Sequence, residues 1–231
     1  MLHTINGVLV QLKAAPLAHL HALFEIEEAA LLTLPELDHY EHRGAARYWG
    51  VLARRGGRVP APQTWPAGDG PRIFAYIRQA RPVATAIIAA IHAAGCRGIV
   101  YDPGWTAGME APPAITIVTT PVDIGQMVED ADIGIMHGTS TAGAFLMGGK
   151  PVLSVASHLE QYLFGVRIAQ LGAGLVVRAD GAPAAIGDAL RELLTNGAFA
   201  HEARAFAARY AAFGHDAVID TLCRRARQLA E

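Results

Sequence analysis

The sequence predicts an α/β protein, a Rossmann-like parallel sheet with helices on both faces, and three observations support this class. From residue 72 onward, short apolar runs alternate with helical segments. Glycines such as Gly95 and Gly172 end several of those helical segments. Hydrophobic residues make up 52% of the 231-residue chain and charged residues 17%, which excludes disorder throughout the chain.

Six apolar runs are predicted strands, and their order along the chain is 72–77, 98–101, 114–118, 131–136, 151–155 and 175–177. Seven segments with helical spacing or helix boundary signals are predicted helices: 82–94, 125–129, 140–147, 158–171, 182–194, 198–212 and 216–229. Ligands of such sheets bind at the carboxyl ends of the strands, near the reversal of strand order. The loops after the predicted strands are therefore where a site is expected.

The composition changes before the first of these strands. Arginine, glycine and proline are concentrated over residues 54–71, which is typical of a linker, and we place an interdomain linker at residues 51–71. Residues 1–50 are too few to bury a comfortable core of their own, although a helix is predicted at 19–28 and a short strand at 31–34. Residues 72–231 carry all six predicted strands and form the second predicted unit of the chain.

Charge and cysteine content exclude several classes of protein. Nineteen Lys and Arg against 21 Asp and Glu give a net charge of −2, so no general attraction to nucleic acid is expected. Cys96 and Cys223 supply neither a disulfide framework nor a CxxC zinc pair. No basic start followed by a clean apolar run marks a signal peptide, and no apolar run is long enough for a transmembrane segment. A cytoplasmic protein is expected.

The most informative motif joins the fourth strand to a helix over residues 131–143. The apolar strand is followed by His137, Gly138, Thr139, Ser140 and Thr141. Unpaired amides and the positive dipole at the start of a helix suit a diphosphate, and these hydroxyls and the imidazole offer further donors. The alternative is ordinary capping of the helix by Thr139 or Ser140.

A second polar pair opens the helix after the fifth strand. Glu160 and Gln161 are adjacent, and together they offer groups that can bind the vicinal hydroxyls of a sugar. The alternative is that Glu160 only complements the helix dipole.

Gly172 and Gly174 flank Ala173 between a helix and a strand, which is the wrong context for the dinucleotide fingerprint of a nicotinamide or flavin enzyme.

The motifs together resemble the donor site of the UDP-glycosyltransferase superfamily, whose members have the two-domain GT-B fold. The resemblance rests on His-Gly-Thr-Ser-Thr-Ala-Gly at 137–143, Gly-Lys-Pro-Val-Leu at 149–153, Glu160 with Gln161, Arg167 with Ile168, and Leu-Gly-Ala-Gly at 171–174. Thr-Pro-Val at 120–122 resembles the loop that faces the nucleotide base, and residues 34–50 resemble the end of the acceptor domain.

The resemblance implies a hexosyltransferase that uses a UDP- or dTDP-sugar without a metal ion. His137 and residues 138–142 would bind the diphosphate, Val122 would face the base through its backbone, and Glu160 and Gln161 would hold the sugar hydroxyls. Arg78, where the family often has a small hydroxyl residue, would supply positive charge near the phosphates, although a solvated loop arginine is an equal alternative. The acceptor domain and its catalytic base would come from a partner chain or a second copy.

The sequence also departs from the family. Thr141 and Ala142 stand where macrolide transferases have Gly and Thr, and Phe145 stands where plant members carry a ribose-binding Glu. No histidine near the start has the context of the family's base; these are His3, His19, His21, His39 and His42, which are expected on a solvated surface rather than in a metal site. The alternatives to an enzyme half are a non-catalytic nucleotide-sugar-binding protein and a truncated gene product without activity.

Overall fold

The computed structural model describes residues 1–25, 28–40, 43–44, 46–51, 62–78, 81–105 and 111–230. Its centre is one six-stranded sheet in which every neighbouring pair of strands is parallel. The strands are β1 (Arg72–Tyr76), β2 (Arg97–Tyr101), β3 (Ile115–Val118), β4 (Ile133–Met136), β5 (Val152–Ala156) and β6 (Gly174–Arg178). The α/β class predicted from the sequence is confirmed.

Eight α-helices accompany the sheet in the described residues: α1 (Leu2–Gln11), α2 (Arg81–Ala93), α3 (Ile124–Asp130), α4 (Thr139–Met147), α5 (Leu159–Gln170), α6 (Pro183–Thr195), α7 (Ala198–Arg209) and α8 (His215–Ala230). The seven helices predicted from spacing are all present, and their ends differ from the predicted ends by at most three residues. No helix in the described part of the chain is long and apolar enough to cross a membrane.

Alternation along the buried strands divides the core between the two faces of the sheet. In β1, Phe74 contributes to a cluster with α4, α5 and α7, whereas Ile73 and Ala75 contribute to a cluster with α2 and α6. This period of two is what an extended strand imposes on its side chains. Helices therefore cover both faces, as the sequence predicts, and the strands are buried apolar runs.

The strand order reverses next to β1. The order across the sheet is β3-β2-β1-β4-β5-β6, so the chain builds outward from β1 to β3 and then crosses back to β4 on the other side of β1. The loops after β1 and β4 consequently diverge to opposite faces and leave a crevice at the carboxyl ends of these strands.

Residues 1–51 differ most from the sequence predictions. The helix predicted at 19–28 is only a 3-10 turn, Leu20–Phe24, with no buried residue to support a longer helix. The strand predicted at 31–34 is an isolated parallel bridge between Leu31 and Tyr48. Helix α1 was not predicted, and it too buries no residue.

The end of this first segment packs into the core of the sheet domain. Leu34, Leu37 and Val51 are almost fully buried in the cluster formed by Phe74, α4, α5 and α7. The Cγ2 of Val51 lies so close to α4 that a Cβ on Gly143 would approach it to 2.7 Å. The assignment of residues 1–50 to the end of an acceptor domain stays a prediction, but Leu34, Leu37 and Val51 share the core of the domain that follows.

Glu36 attaches the same segment to two helices. Tyr210, just after α7, donates a hydrogen bond of 2.5 Å to its carboxylate, and Arg209 lies 3.7 Å from it. Arg167 of α5 donates to the backbone carbonyl of Glu36 at 3.1 Å. Burial of the Tyr210 hydroxyl and its bond to Glu36 raise the pKa of Tyr210. These contacts join residues far apart in the sequence.

Asp38 closes the turn beside Glu36. Its buried carboxylate accepts hydrogen bonds from the Tyr40 amide at 3.0 Å, the Arg43 guanidinium at 2.5 Å and the Tyr48 hydroxyl at 3.0 Å. Burial acts to raise the pKa of Asp38, but these hydrogen bonds outweigh it and hold the pKa below its usual value.

Residues 52–61 of the predicted linker lie outside the described residues. The described remainder, residues 62–71, lies against α3 in the fold. The backbone of Gln63 both accepts from and donates to the side chain of Gln126, and the Trp65 indole donates to Asp130 at 3.3 Å. This part of the linker is therefore attached to the sheet domain.

The shared core predicts unequal effects of two leucine substitutions. Leu37→Ala removes a side chain that is 1% exposed and is expected to lower the free energy of unfolding by about 2–5 kcal/mol. Leu32→Ala is the matched control, because Leu32 is 49% exposed and its loss should cost less than about 0.5 kcal/mol. Urea denaturation measures both, and equal values would contradict a common core.

Candidate functional site

The carboxyl ends of β1 and β4 place the candidate site at the reversal of strand order. Tyr76 pairs with Met136 in register, so Ile77 and His137 leave the sheet at the same level on neighbouring strands, and Arg78 follows one residue later. Arg78 is exposed and His137 half-buried. Two of the residues predicted from sequence are thus brought to one crevice.

The first turn of α4 presents free backbone donors at this crevice. Gly138 occupies the N-cap position in an extended conformation, and no side chain caps the helix. The described residues therefore do not show the alternative in which Thr139 or Ser140 caps α4. The first main-chain bond into the helix is from the Ala142 amide to the Gly138 carbonyl at 3.3 Å, so the amides of Thr139, Ser140 and Thr141 precede it.

The hydroxyls of that turn differ in their exposure. Ser140 is exposed, and Thr139 and Thr141 are half-buried. The next residue, Ala142, is buried against the core and offers no hydroxyl. The turn therefore combines three amides, the positive end of a nine-residue helix and up to three hydroxyls, which is chemistry suited to an anion.

His137 is held by Tyr76. Its imidazole hydrogen-bonds the Tyr76 backbone, and its ring meets the Tyr76 ring edge-on with centroids 6.0 Å apart. Burial lowers the pKa of His137 below the usual 6.5; the bond to Tyr76 acts to raise it, and the positive charges of Arg78 and His158 lower it further. The net effect is a neutral imidazole near pH 7 in the free protein.

A neutral imidazole has a single N–H. A backbone carbonyl can only accept, so the N–H of His137 points to Tyr76 and the other ring nitrogen carries a lone pair. That second nitrogen donates to an anion only after it gains a proton. An anion bound at this nitrogen would therefore couple its binding to protonation of His137.

The start of α5 supplies the second polar group. Glu160 is exposed in the first turn, and within the described part of the chain it forms no ion pair. The Gln161 side-chain oxygen accepts a hydrogen bond from the Ser157 amide at 2.8 Å, so it satisfies a backbone donor just before the helix. The amide NH₂ of Gln161 and the second lone pair of its oxygen remain for a ligand, and the carboxylate of Glu160 is open to solvent.

His158 is a site residue that the sequence reasoning left without a role. It is the N-cap residue of α5, it is exposed, and its charge reaches His137. Its position directly after the carboxyl end of β5 is the signal that could have indicated it. Tyr76, which holds the imidazole, had no such signal because its contact is made through the backbone.

Val122 lies on the other side of β1, after β3. Its side chain is 7% exposed and belongs to the core cluster with Met127 and Tyr101. A ligand beside this loop would meet main-chain atoms, in keeping with the expectation that Val122 acts through its backbone. Within the described residues no hydrogen bond or ring contact joins Val122 to His137 or Glu160, so its role stays a prediction.

Two charged residues of the sequence motif have structural partners. The Lys150 ammonium donates to the carbonyls of Ala131 at 2.6 Å and Glu129 at 3.2 Å, which end α3. Arg167 binds the Glu36 carbonyl, as described above. Neither is therefore free to act as the positive group of an anion site, and Arg78 is the exposed cation nearest His137 in the contacts described here.

The six-stranded parallel sheet and its helices have the fold found in part of the GT-B glycosyltransferase structures that match this chain. Individual solved structures with this fold include the glycosyltransferase VinC in complex with dTDP, which has a TM-score of 0.71 and 17% identity and covers 96% of this chain and 57% of its own. The calicheamicin glycosyltransferase CalG4 has a TM-score of 0.65 and 19% identity and covers 99% of this chain and 59% of its own.

The spinosyn rhamnosyltransferase SpnG complexed with thymidine diphosphate has a TM-score of 0.64 and 18% identity, and the match covers 81% of this chain and 54% of that one. The chain thus spans somewhat more than half the length of these structures. Identities this low establish the common fold. No protein-family model matches the sequence, and no curated protein matches it either.

The electrostatics of the crevice predict the effect of removing its arginine. Arg78→Gln should raise the pKa of His137, because the loss of a nearby positive charge favours the imidazolium. NMR titration of the imidazole measures the shift. Arg191→Gln, which removes an exposed arginine paired with Asp188 on α6, is the control and should leave His137 unchanged. An unchanged pKa in Arg78→Gln would contradict the described proximity.

Proposed function

We propose that this chain is the donor-binding half of a glycosyltransferase, which binds a nucleoside diphosphate sugar at the crevice between β1 and β4. The observation that carries the proposal is the uncapped first turn of α4, whose amides lie beside His137 and Arg78 at the reversal of strand order. The fold shared with glycosyltransferases supports it.

The diphosphate is the first part of the proposed ligand. The amides of Thr139, Ser140 and Thr141 donate to its oxygens, the hydroxyls of the turn add donors, and His137 and Arg78 contribute from the strand ends. VinC and SpnG are described with thymidine diphosphate, which favours a pyrimidine nucleotide, dTDP or UDP, for this chain as well. The backbone at Val122 is proposed to face the base.

The sugar is the second part. Glu160 accepts hydrogen bonds from hydroxyls of a hexose, and the NH₂ of Gln161 donates to one of its oxygens. Because the Gln161 oxygen is already bonded to Ser157, Gln161 is assigned as a donor and Glu160 as the acceptor of the pair. His158, at the same helix start, adds a polar group between the sugar and the diphosphate.

The proposed reaction is a direct displacement. An acceptor hydroxyl oxygen bonds to the anomeric carbon while the bond from that carbon to the diphosphate oxygen breaks, and a base takes the hydroxyl proton. The negative charge that develops on the diphosphate is stabilised by the fixed amides of α4 and by His137. With these donors in place, the reaction is proposed to need no metal ion.

The base and the acceptor pocket are proposed to lie outside the described domain, in a partner chain or in a second copy. The second candidate is a protein that binds nucleotide sugars without transferring them. It requires only the donor site described above, without a base or an acceptor pocket. Both candidates share the same ligand and the same site.

Substitutions at the two helix starts test the assignment. His137→Ala should weaken binding of dTDP, UDP and their sugars by about 1–3 kcal/mol, the scale of a lost hydrogen bond to a charged group. Glu160→Ala should weaken binding of the sugar nucleotide and leave the bare diphosphate nearly unaffected. Titration calorimetry with UDP, dTDP, GDP, ADP and NADH measures both.

His92→Ala, at an exposed position in the last turn of α2, is the control for loss of an imidazole. Equal losses for both ligands in Glu160→Ala would contradict the assignment of Glu160 to the sugar. No binding of any pyrimidine nucleotide by the unaltered chain would contradict the donor site itself.

The coupling at His137 predicts a pH dependence. In the free protein the pKa of His137 lies below its usual value, and a bound diphosphate favours the imidazolium. Affinity should therefore rise as pH falls from 8 towards the free-state pKa, with uptake of up to one proton for each ligand bound. Calorimetry in buffers with different ionisation enthalpies measures the proton uptake.

His137→Gln is the matched variant for this measurement, because it keeps a polar side chain but does not titrate. Comparison of the two proteins also corrects for titration of the ligand itself, because the same ligand is used with both. A pH dependence that is identical in the two proteins would show that His137 takes no proton on binding.

A further inference from the structure

We propose that His19, His21 and Glu25 form a binding site for one divalent transition-metal ion of the Zn²⁺ type. These residues surround the 3-10 turn Leu20–Phe24 in the first segment of the chain. One ligand atom from each, an imidazole nitrogen or a carboxylate oxygen, lies within 4.8 Å of the other two. The proposal is independent of the donor site.

The local conformation explains why three donors meet here. His19 is the extended residue before the turn and Glu25 the extended residue after it, so the turn folds the chain back and brings its two ends together. The imidazoles of His19 and His21 stack, with ring centroids 3.6 Å apart and planes inclined by 11°. Nε2 of both rings lies within 4.0 Å of the same oxygen, Oε1 of Glu25. Because stacked rings have parallel in-plane lone pairs, one imidazole has to rotate out of the stack before both can bind one ion.

The distances leave room for an ion between the three donors. Nε2 of His19 is 4.0 Å and Nε2 of His21 is 3.7 Å from Oε1 of Glu25. Hydrogen bonds between such groups span about 2.7–3.2 Å, so neither pair is directly bonded. Two ligands on a tetrahedral ion with bonds of about 2.0–2.1 Å lie roughly 3.3 Å apart, and rotations of these exposed side chains reach that separation.

The donor set selects the class of metal. Two imidazole nitrogens and one carboxylate oxygen suit Zn²⁺, Ni²⁺ or Cu²⁺, whereas Mg²⁺ and Ca²⁺ require oxygen ligands almost throughout. The side chains are exposed, so the ion enters from solvent and water completes its coordination. An open coordination position of this kind also lets a fourth ligand come from another molecule.

The ion would act as a cross-link in a segment with little core of its own. Helix α1 and the 3-10 turn bury no residue, and the segment is held by the paired hydrogen bonds between Asn6 and Leu17 and by the ion pair of Glu28 with Arg225. A metal ion that fixes residues 19–25 would therefore restrict the part of the chain between these two attachments.

Competition with a chromophoric zinc indicator tests the site on the full chain, prepared without an oligohistidine tag. We expect one Zn²⁺ ion per chain. His19→Ala, His21→Ala and Glu25→Gln should each weaken Zn²⁺ binding by at least about tenfold, because loss of a residue that only supports a metal ligand already lowers metal affinity by about that factor, and loss of the ligand itself lowers it no less. Mg²⁺ at a large excess should not displace the ion.

His201→Ala is the matched control. His201 is also an exposed imidazole 4.0 Å from a carboxylate, that of Glu202, but it has no third donor in the described part of the chain. Its substitution should leave Zn²⁺ affinity unchanged. Circular dichroism confirms that each variant remains folded.

Three results would overturn the proposal. Zn²⁺ binding in the His19→Ala/His21→Ala double variant that equals binding in the unaltered chain would exclude the site. An equal loss in His201→Ala would show general surface binding by histidines. Displacement of Zn²⁺ by Mg²⁺ at comparable concentration would exclude a nitrogen-ligated ion.

Discussion

The first three amides of α4 have no carbonyl one turn upstream, and the candidate site is organised around this property of a helix start. Such groups need a partner from a side chain, water or a ligand, and within the described residues no side chain caps them. Parallel sheet topology aims them into the crevice beside β1, where His137 and Arg78 also end their strands. A single geometric requirement of the backbone thus places the donors, the dipole and the nearby positive charge together.

Residues of the motif around α4 divide between structural contacts and open donors. Gly143 allows the close approach of Val51, Lys150 binds the end of α3, and Arg167 binds the backbone at Glu36. His137 and Glu160, by contrast, have groups directed to the crevice or to solvent. The motif resemblance does not separate structural residues from those that face a ligand, but the hydrogen-bond partners in the structure show which side chains are available to bind one.

The sheet and its helices could be predicted from the sequence because their signals are local. Buried strands are short apolar runs, and glycines such as Gly172, with φ of +67°, end helices where the backbone turns left-handed. His137 follows β4 directly and Glu160 lies in the first turn of α5, so both lie at the carboxyl edge of the sheet as the sequence predicts, while their roles stay a prediction.

Other features depend on contacts that sequence spacing does not reveal. Glu36 and Tyr210 are separated by 174 positions, so their bond could not be read from either neighbourhood. The partner of His137 is a backbone carbonyl on another strand, and the commitment of the Gln161 oxygen to Ser157 is visible only in the folded turn. The packing of the end of the first segment into the core was missed for the same reason.

Phe145 limits how this site can change in evolution. Its side chain is fully buried on the sheet side of α4, stacked on Phe74 with centroids 5.8 Å apart, and a Cβ on Gly134 would lie 2.6 Å from its ring. A glutamate at this position would place an unpaired carboxylate in an apolar core, at a cost of several kcal/mol. The plant type of ribose contact is therefore not accessible to this chain by one substitution. Phe74 and the residues that pack over Gly134 would have to change first. In proteins with this packing, selectivity for a nucleotide would have to arise on another element of the fold.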